Sequence, residues 1–137
     1  MASTRRLPRV QGILFPYLRE KFGDEVSFGS WHPDVKHRTW PYVNIRRMGG
    51  SAKHIRLLDV AVIELTVYDN RSLPEAEELY LDVREAVWDM YEKQVATPVG
   101  HICSFTETMG PSQFDSPFPG TWRIQGLIHL GIRPPRN

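Results

Sequence analysis

Two periodicities divide the chain. Val10, Ile13, Leu14, Tyr17, Leu18 and Phe22 recur at spacings of three and four, which gathers them on one face of a helix over 7–22. Pro16 falls inside that pattern and cannot bond to the carbonyl of Gly12, so the pattern predicts a kink or a helix in two pieces. A longer stripe follows, in which Ala76, Leu79, Tyr80, Val83, Ala86, Val87, Met90 and Tyr91 share one face and acidic residues occupy the other. Its start is marked by Ser72 and Glu75 at the capping-box spacing, with Pro74 in the first turn, where a missing N–H costs little.

Elsewhere the period is two. Val26 and Phe28 suggest a short strand, and Tyr42–Arg47 reads as extended up to Gly49-Gly50, where φ becomes free and a loop over Met48–Arg56 is expected. From Leu57 to Tyr68 the chain alternates: Leu57, Asp59, Ala61, Ile63, Leu65 and Val67 on one side, Val60, Val62, Glu64, Thr66 and Tyr68 on the other. An extended stretch from His101 to about Thr108, a Pro- and Gly-rich loop from Gly110 to Gly120 and a strand from Thr121 to Ile132 complete the chain. The order is α-β-β-β-α-β-β. Two helices with one apolar face each are most economically buried on one side of a mostly antiparallel sheet of four to five strands, an α+β fold. A single domain over 1–137 is expected, with tails at 1–6 and 134–137; Pro134-Pro135 cannot extend a sheet. The sheet's other side would remain to be covered, which argues for oligomerisation.

Composition narrows the class. At 41% hydrophobic and 24% charged the chain is ordinary for a soluble protein, and no apolar run approaches the roughly 20 residues that cross a bilayer. Met-Ala-Ser-Thr-Arg-Arg lacks the apolar segment of a secretory signal. The single Cys103 forms no intrachain disulfide and suits a reducing compartment. The net charge is +1, but it is unevenly spread. Lys36, Arg38, Arg46, Arg47, Lys53 and Arg56 follow one another without an intervening acid, whereas Glu75–Lys93 is dominated by acids, among them Glu78, Asp82 and Glu85. Two solvated faces would account for this. So would a basic hairpin (Arg46, Arg47, Met48, Lys53, His54, Arg56) meeting the acidic helix of a neighbouring copy, head to tail. The near-neutral total does not suit a dedicated nucleic-acid binder.

No constellation points to catalysis. His32, Asp34 and His37 lie close in sequence, but no second ligand cluster stands at a zinc-like spacing, and no metal is expected. His101 and Cys103 read as packing rather than as a nucleophile and its base. No Gly-Lys-Ser/Thr follows Gly49-Gly50, so there is no phosphate loop. Glu107 and Asp115 flank a loop without a cleft to make them an acid–base pair. Phe114, Asp115, Phe118 and Trp122 surround the proline-rich loop as a docking patch or as the loop's own small core; the first is favoured, because recognition often sits on such loops. No catalytic residue and no cofactor are expected.

The segments Pro41-Tyr42-Val43-Asn44-Ile45-Arg46-Arg47-Met48-Gly49-Gly50, Leu58–Tyr68, Ala76–Tyr91, Phe105-Thr106-Glu107-Thr108-Met109-Gly110-Pro111 and Trp122-Arg123 stand in an order that resembles the tail terminator (tail completion) proteins of long-tailed bacteriophages, especially actinobacterial siphophages. The resemblance implies a virion protein, assembled in the host cytoplasm, that forms a homo-hexameric ring on the head-proximal end of the tail tube. The ring would stop tube polymerisation, meet a head-completion or neck protein, and let DNA pass through its lumen without specific binding or any membrane contact. The alternatives are a head-closure, neck or other minor tail protein, or a small ligand-binding α+β domain, which would need a concave site with convergent polar groups.

Overall fold

The computed structural model describes residues 6–31 and 38–135. Helix α1 (Val10–Phe22) is followed by a short 3-10 turn (Gly23–Glu25), strands β1 (Ser27–Gly29), β2 (Tyr42–His54) and β3 (Leu58–Asp69), helix α2 (Leu73–Glu92), and strands β4 (His101–Phe114) and β5 (Trp122–Arg133). The strands form one sheet in the order β1-β2-β3-β5-β4. Among the described residues β1 and β2 pair in parallel and the other pairings are antiparallel. This is the α-β-β-β-α-β-β order, and the α+β class, that the periodicities predict.

Register explains why both helices lie on the same face. Val43, Val67 and Ile124 stand side by side across β2, β3 and β5, as do Ile45, Leu65 and Gly126, and Ile63 beside Ile128 and Ala61 beside Leu130 continue the same face. Ile13, Leu14 and Leu18 of α1 and Tyr80, Val83, Val87 and Met90 of α2 close over it in one core. Each large apolar side chain buried there contributes about 1.5–3 kcal/mol. Lys21 and Asp89, 3.5 Å apart, join the two helices, and Arg84 of α2 donates to both carboxylate oxygens of Glu107 on β4 at 2.9 and 3.0 Å. Gly126 is required where α2 crosses β5. A Cβ there would stand 1.8 Å from the Tyr80 hydroxyl and 2.7 Å from the carbonyl of Met109.

The helix ends follow their sequence signals in part. Ser72 Oγ accepts the Glu75 N–H at 3.2 Å, as the capping spacing predicts, while the Glu75 carboxylate pairs with Arg71 at 3.1 Å. Helix α1 starts at Val10 rather than at residue 7, because Arg9 is still extended. It runs through Pro16 as one element, not two. Pro16 and Gly12 are both exposed, so the carbonyl deprived of its partner faces water.

Two expected loops are mostly strand. β2 does not stop at Gly49-Gly50: Gly49 pairs with Val62 and Gly50 with Ala61, and the register shift between Arg47 and Gly49 bulges out Met48. At Gly50 φ is +91°, and a Cβ would fall 2.0 Å from the carbonyl of Val60, so glycine keeps the ladder going past the bulge. The connection shrinks to Ile55–Leu57, so Leu57, expected to open the next strand on its apolar face, lies in the turn and is exposed. Likewise β4 continues through Gly110-Pro111 to Phe114. It is an edge strand, where a proline without N–H need not pair inward, and the loop shrinks to residues 115–121.

The opposite face of the sheet is polar. Asn44, Thr66 and Gln125 align across β2, β3 and β5. Thr66 Oγ1 donates to Gln125 Oε1 at 3.2 Å, and Arg123 donates to the same oxygen at 2.5 Å. At one end of this face Tyr42, Tyr68 and Phe118 form a second small core with Trp40 against it.

Candidate interaction surfaces

β1 pairs only with Tyr42–Asn44, so β2 has no edge partner from β1 beyond that point and the β2–β3 hairpin continues past it. The basic residues along this hairpin separate into two groups. Arg47 grips Asp59 with two hydrogen bonds, 2.6 and 2.9 Å, and donates from Nε to the Gly49 carbonyl at 2.9 Å. Those bonds to Asp59 push the Arg47 guanidinium above its ordinary value. Arg46 lies 3.6 Å from Glu64. Both arginines thus have carboxylate partners one strand away in the same chain, whereas the charge distribution along the sequence suggested partners on a neighbouring helix. Cross-strand register brings Arg46 opposite Glu64, a pairing that charge counts along the sequence do not reveal.

At the tip the situation differs. Lys53, His54 and Arg56 are exposed. His54 Nδ1 accepts the Arg56 N–H at 3.2 Å and its carbonyl accepts the Leu57 N–H at 3.0 Å, which shapes the turn. Among the described residues Lys53 and Arg56 form no ion pair. Ile55 is 74% exposed, Leu57 52%, and the bulged Met48 50%. Periodicity flagged the charges of this hairpin but not the apolar tip, whose exposure depends on how far the strands run.

The acids of α2 divide in the same way. Glu75 is taken by Arg71, and Asp89 by Lys21 and Lys93. Glu92 accepts the indole N–H of Trp88 at 3.1 Å. Glu78, Asp82 and Glu85 are exposed and, among the described residues, have no ion-pair partner. Glu78 and Asp82 rim a groove of about 250 Å³ between α2 and the end of α1.

The expected docking loop is largely turned inward. Phe118 is 8% exposed, with ring centroids 5.1 Å from Tyr68 and 5.4 Å from Trp40, and the Arg38 guanidinium lies 4.4 Å from its ring. Ser116 and Thr121 close the loop with a 2.5 Å hydroxyl contact, and Thr121 donates to the Phe118 carbonyl at 2.7 Å. Trp122 packs against the main core. Phe118 therefore packs in the small core with Tyr42 and Tyr68, where the loop folds back, while β5 carries Trp122 onto the main core beside Ile124, so the expected patch is divided between two clusters. Phe114, 40% exposed, and Asp115 remain at the surface. Burial pushes the Tyr42, Tyr68 and Tyr80 hydroxyls above their ordinary value of 10.0, Tyr80 the furthest.

Cys103 sits at the register shift between Ile102 and Ser104, while His101 Nδ1 lies 3.1 Å from the carbonyl of Pro134. Among the described residues no three His, Cys, Asp or Glu side chains gather as a metal site, and no helix is long and apolar enough to cross a membrane. His32, Asp34 and His37 lie outside the described residues.

Comparison with known proteins bears on what these surfaces serve. The family described as phage tail termination protein matches residues 6–137. The Gene 22 protein of Mycobacterium phage D29 is 42% identical over 134 residues, covering 96% of each chain. The Gene 22 protein of Mycobacterium phage L5 is 43% identical over 135 residues, covering 96% of this chain and 97% of the relative. With residues 6–137 matched by the family and nearly the whole length of both relatives aligned, the chain belongs to the phage tail termination protein family.

Proposed function

We propose that the protein closes the head-proximal end of the phage tail tube as a homo-hexameric ring, ends tube polymerisation there and receives a head-completion protein on its other side. Its role is structural rather than catalytic. One observation carries the reading: the cations of the hairpin tip and the acids Glu78, Asp82 and Glu85 of α2 have no ion-pair partner among the described residues of their own chain. Two different complementary surfaces on one molecule favour a heterologous contact, which closes into a ring when its rotation permits. Phe114 and Asp115, and the bulged Met48, are exposed positions that tube or head proteins would meet. DNA passes through the lumen without specific binding.

Negative-stain images of the purified protein, alone and with tail tubes, test this. Sixfold annuli and capped tubes are expected; a monomer at every concentration that also leaves tube ends free would overturn it. A pull-down in which portal-side proteins bind and tube protein does not would replace tube capping with a role in the neck. DNA affinity at physiological salt should be weak and should fall as salt rises.

A further inference from the structure

The groove between α1 and α2 has an apolar floor (Phe22, Val26, Leu79) and an acidic rim (Glu25, Glu78, Asp82). Arg71 also lines it, but its guanidinium is held by Asp69 at 2.6 Å and Glu75 at 3.1 Å and feels the charge of Glu25, so these three carboxylates outnumber it and Glu78 and Asp82 keep no ion-pair partner among the described residues. The tip of the β2–β3 hairpin has the converse character. Ile55 and Leu57 are exposed, flanked by Lys53 and Arg56, which have no ion-pair partner among the described residues. The two sit at opposite ends of the sheet. Pro41 and Arg71, which line the groove, adjoin Tyr42 and Asp69, the strand ends farthest from the turn. The 13 residues of β2 span roughly 40 Å, so a tip cannot reach its own groove.

We infer that the groove receives the hairpin tip of a second copy of this chain, with Ile55 over Phe22 and Leu79 and with Lys53 and Arg56 against Glu78 and Asp82. This rests on the ring reading and names its contact. It also narrows the acidic surface. Glu85 does not line the groove but a separate cavity beside Trp88 and Phe105, and it stands outside the contact.

The test uses the full chain in a Cys103→Ser background. Ile55→Cys and Glu78→Cys variants, distinguished by mass tags, are mixed under mild oxidation, with Glu92→Cys replacing Glu78→Cys as a control. A mixed disulfide between positions 55 and 78, and little with position 92, is expected. In parallel, Lys53→Glu/Arg56→Glu and Glu78→Lys/Asp82→Lys should each weaken self-association about tenfold or more in light scattering, since like charges then face each other. An equimolar mixture of the two should recover it, because each altered tip then meets an altered groove, whereas Glu85→Lys should leave it unchanged. Cys103 is half-buried and the other substituted side chains are exposed, and circular dichroism checks that the variants fold.

A 55–78 cross-link in a species that never forms annuli would keep the docking and overturn the ring. Annuli that form normally without the cross-link, and unaffected by the charge reversals, would keep the ring and overturn the docking. Neither cross-link nor assembly at any concentration would overturn both.

Discussion

The two long hairpins meet solvent in opposite ways. Between β4 and β5 the connection holds two prolines and one aromatic residue, yet that ring, Phe118, is buried against Tyr42, Tyr68 and Trp40, and the loop is tied by Ser116 and Thr121. Between β2 and β3 the connection is only Ile55–Leu57, but it leaves Ile55 and Leu57 exposed, with Arg56 and the neighbouring Lys53 in no ion pair among the described residues. A loop long enough to fold back satisfies its own side chains. A tight turn on two long strands cannot, because its residues are held away from the rest of the chain. Exposed apolar surface is informative where a short connection prevents it from collapsing at home.

The largest change expected is one that removes the frame common to both hairpins. Gly126→Ala places a methyl group against Tyr80 and the Met109 carbonyl and should destabilise the fold by about 3 kcal/mol. Urea unfolding followed by tryptophan fluorescence and by circular dichroism should report one transition at lower urea for both regions. Survival of either hairpin alone would show that they do not share one core.

Phe118→Ala should cost about 2 kcal/mol, less than a full core deletion because the cluster is small and lies at one end of the sheet. Hydrogen exchange should rise over residues 115–121 while self-association persists; loss of assembly without local exchange would return Phe118 to the docking surface. The tyrosines sharpen the same side. Tyr42, Tyr68 and Tyr80 have hydroxyl pKa values raised in the fold, so their neutral forms are favoured there. Their contribution is fully present below the ordinary value of 10.0 and is lost as pH rises above it. Thermal stability should therefore fall above pH 10, and Tyr80→Phe should flatten that fall.

On the other hairpin, Arg47→Ala should cost about 1 kcal/mol or less, since the guanidinium is partly solvent-screened, although Asp59 loses both hydrogen bonds. A melting curve measures it. Ile55→Ala should leave stability within about 0.5 kcal/mol and yet reduce self-association in light scattering. An unchanged oligomer would end the contrast between the hairpins.

Periodicity alone determined much of this protein. The stripes of α1 and α2, the Ser72 cap and the alternation of β3 each depend on neighbours a few residues away, so they are legible without the fold. The order of elements, and with it the α+β architecture, followed from them. The residues Pro41–Gly50 and Ala76–Tyr91 stood in the order expected for the family, which the comparisons show.

What tertiary structure alone decided is which polar and aromatic groups are already engaged. Gly49-Gly50 reads as a stop, but opposite Val62 and Ala61 it becomes a bulged continuation, and only then does the tip project. Arg46 and Arg47 read as free cations until the register places Glu64 and Asp59 within reach. Phe118 reads as exposed until Tyr68, far away in sequence, is folded beneath it. Short-range preference fixes the type of each element, whereas long-range pairing fixes which side chains are left over for another molecule.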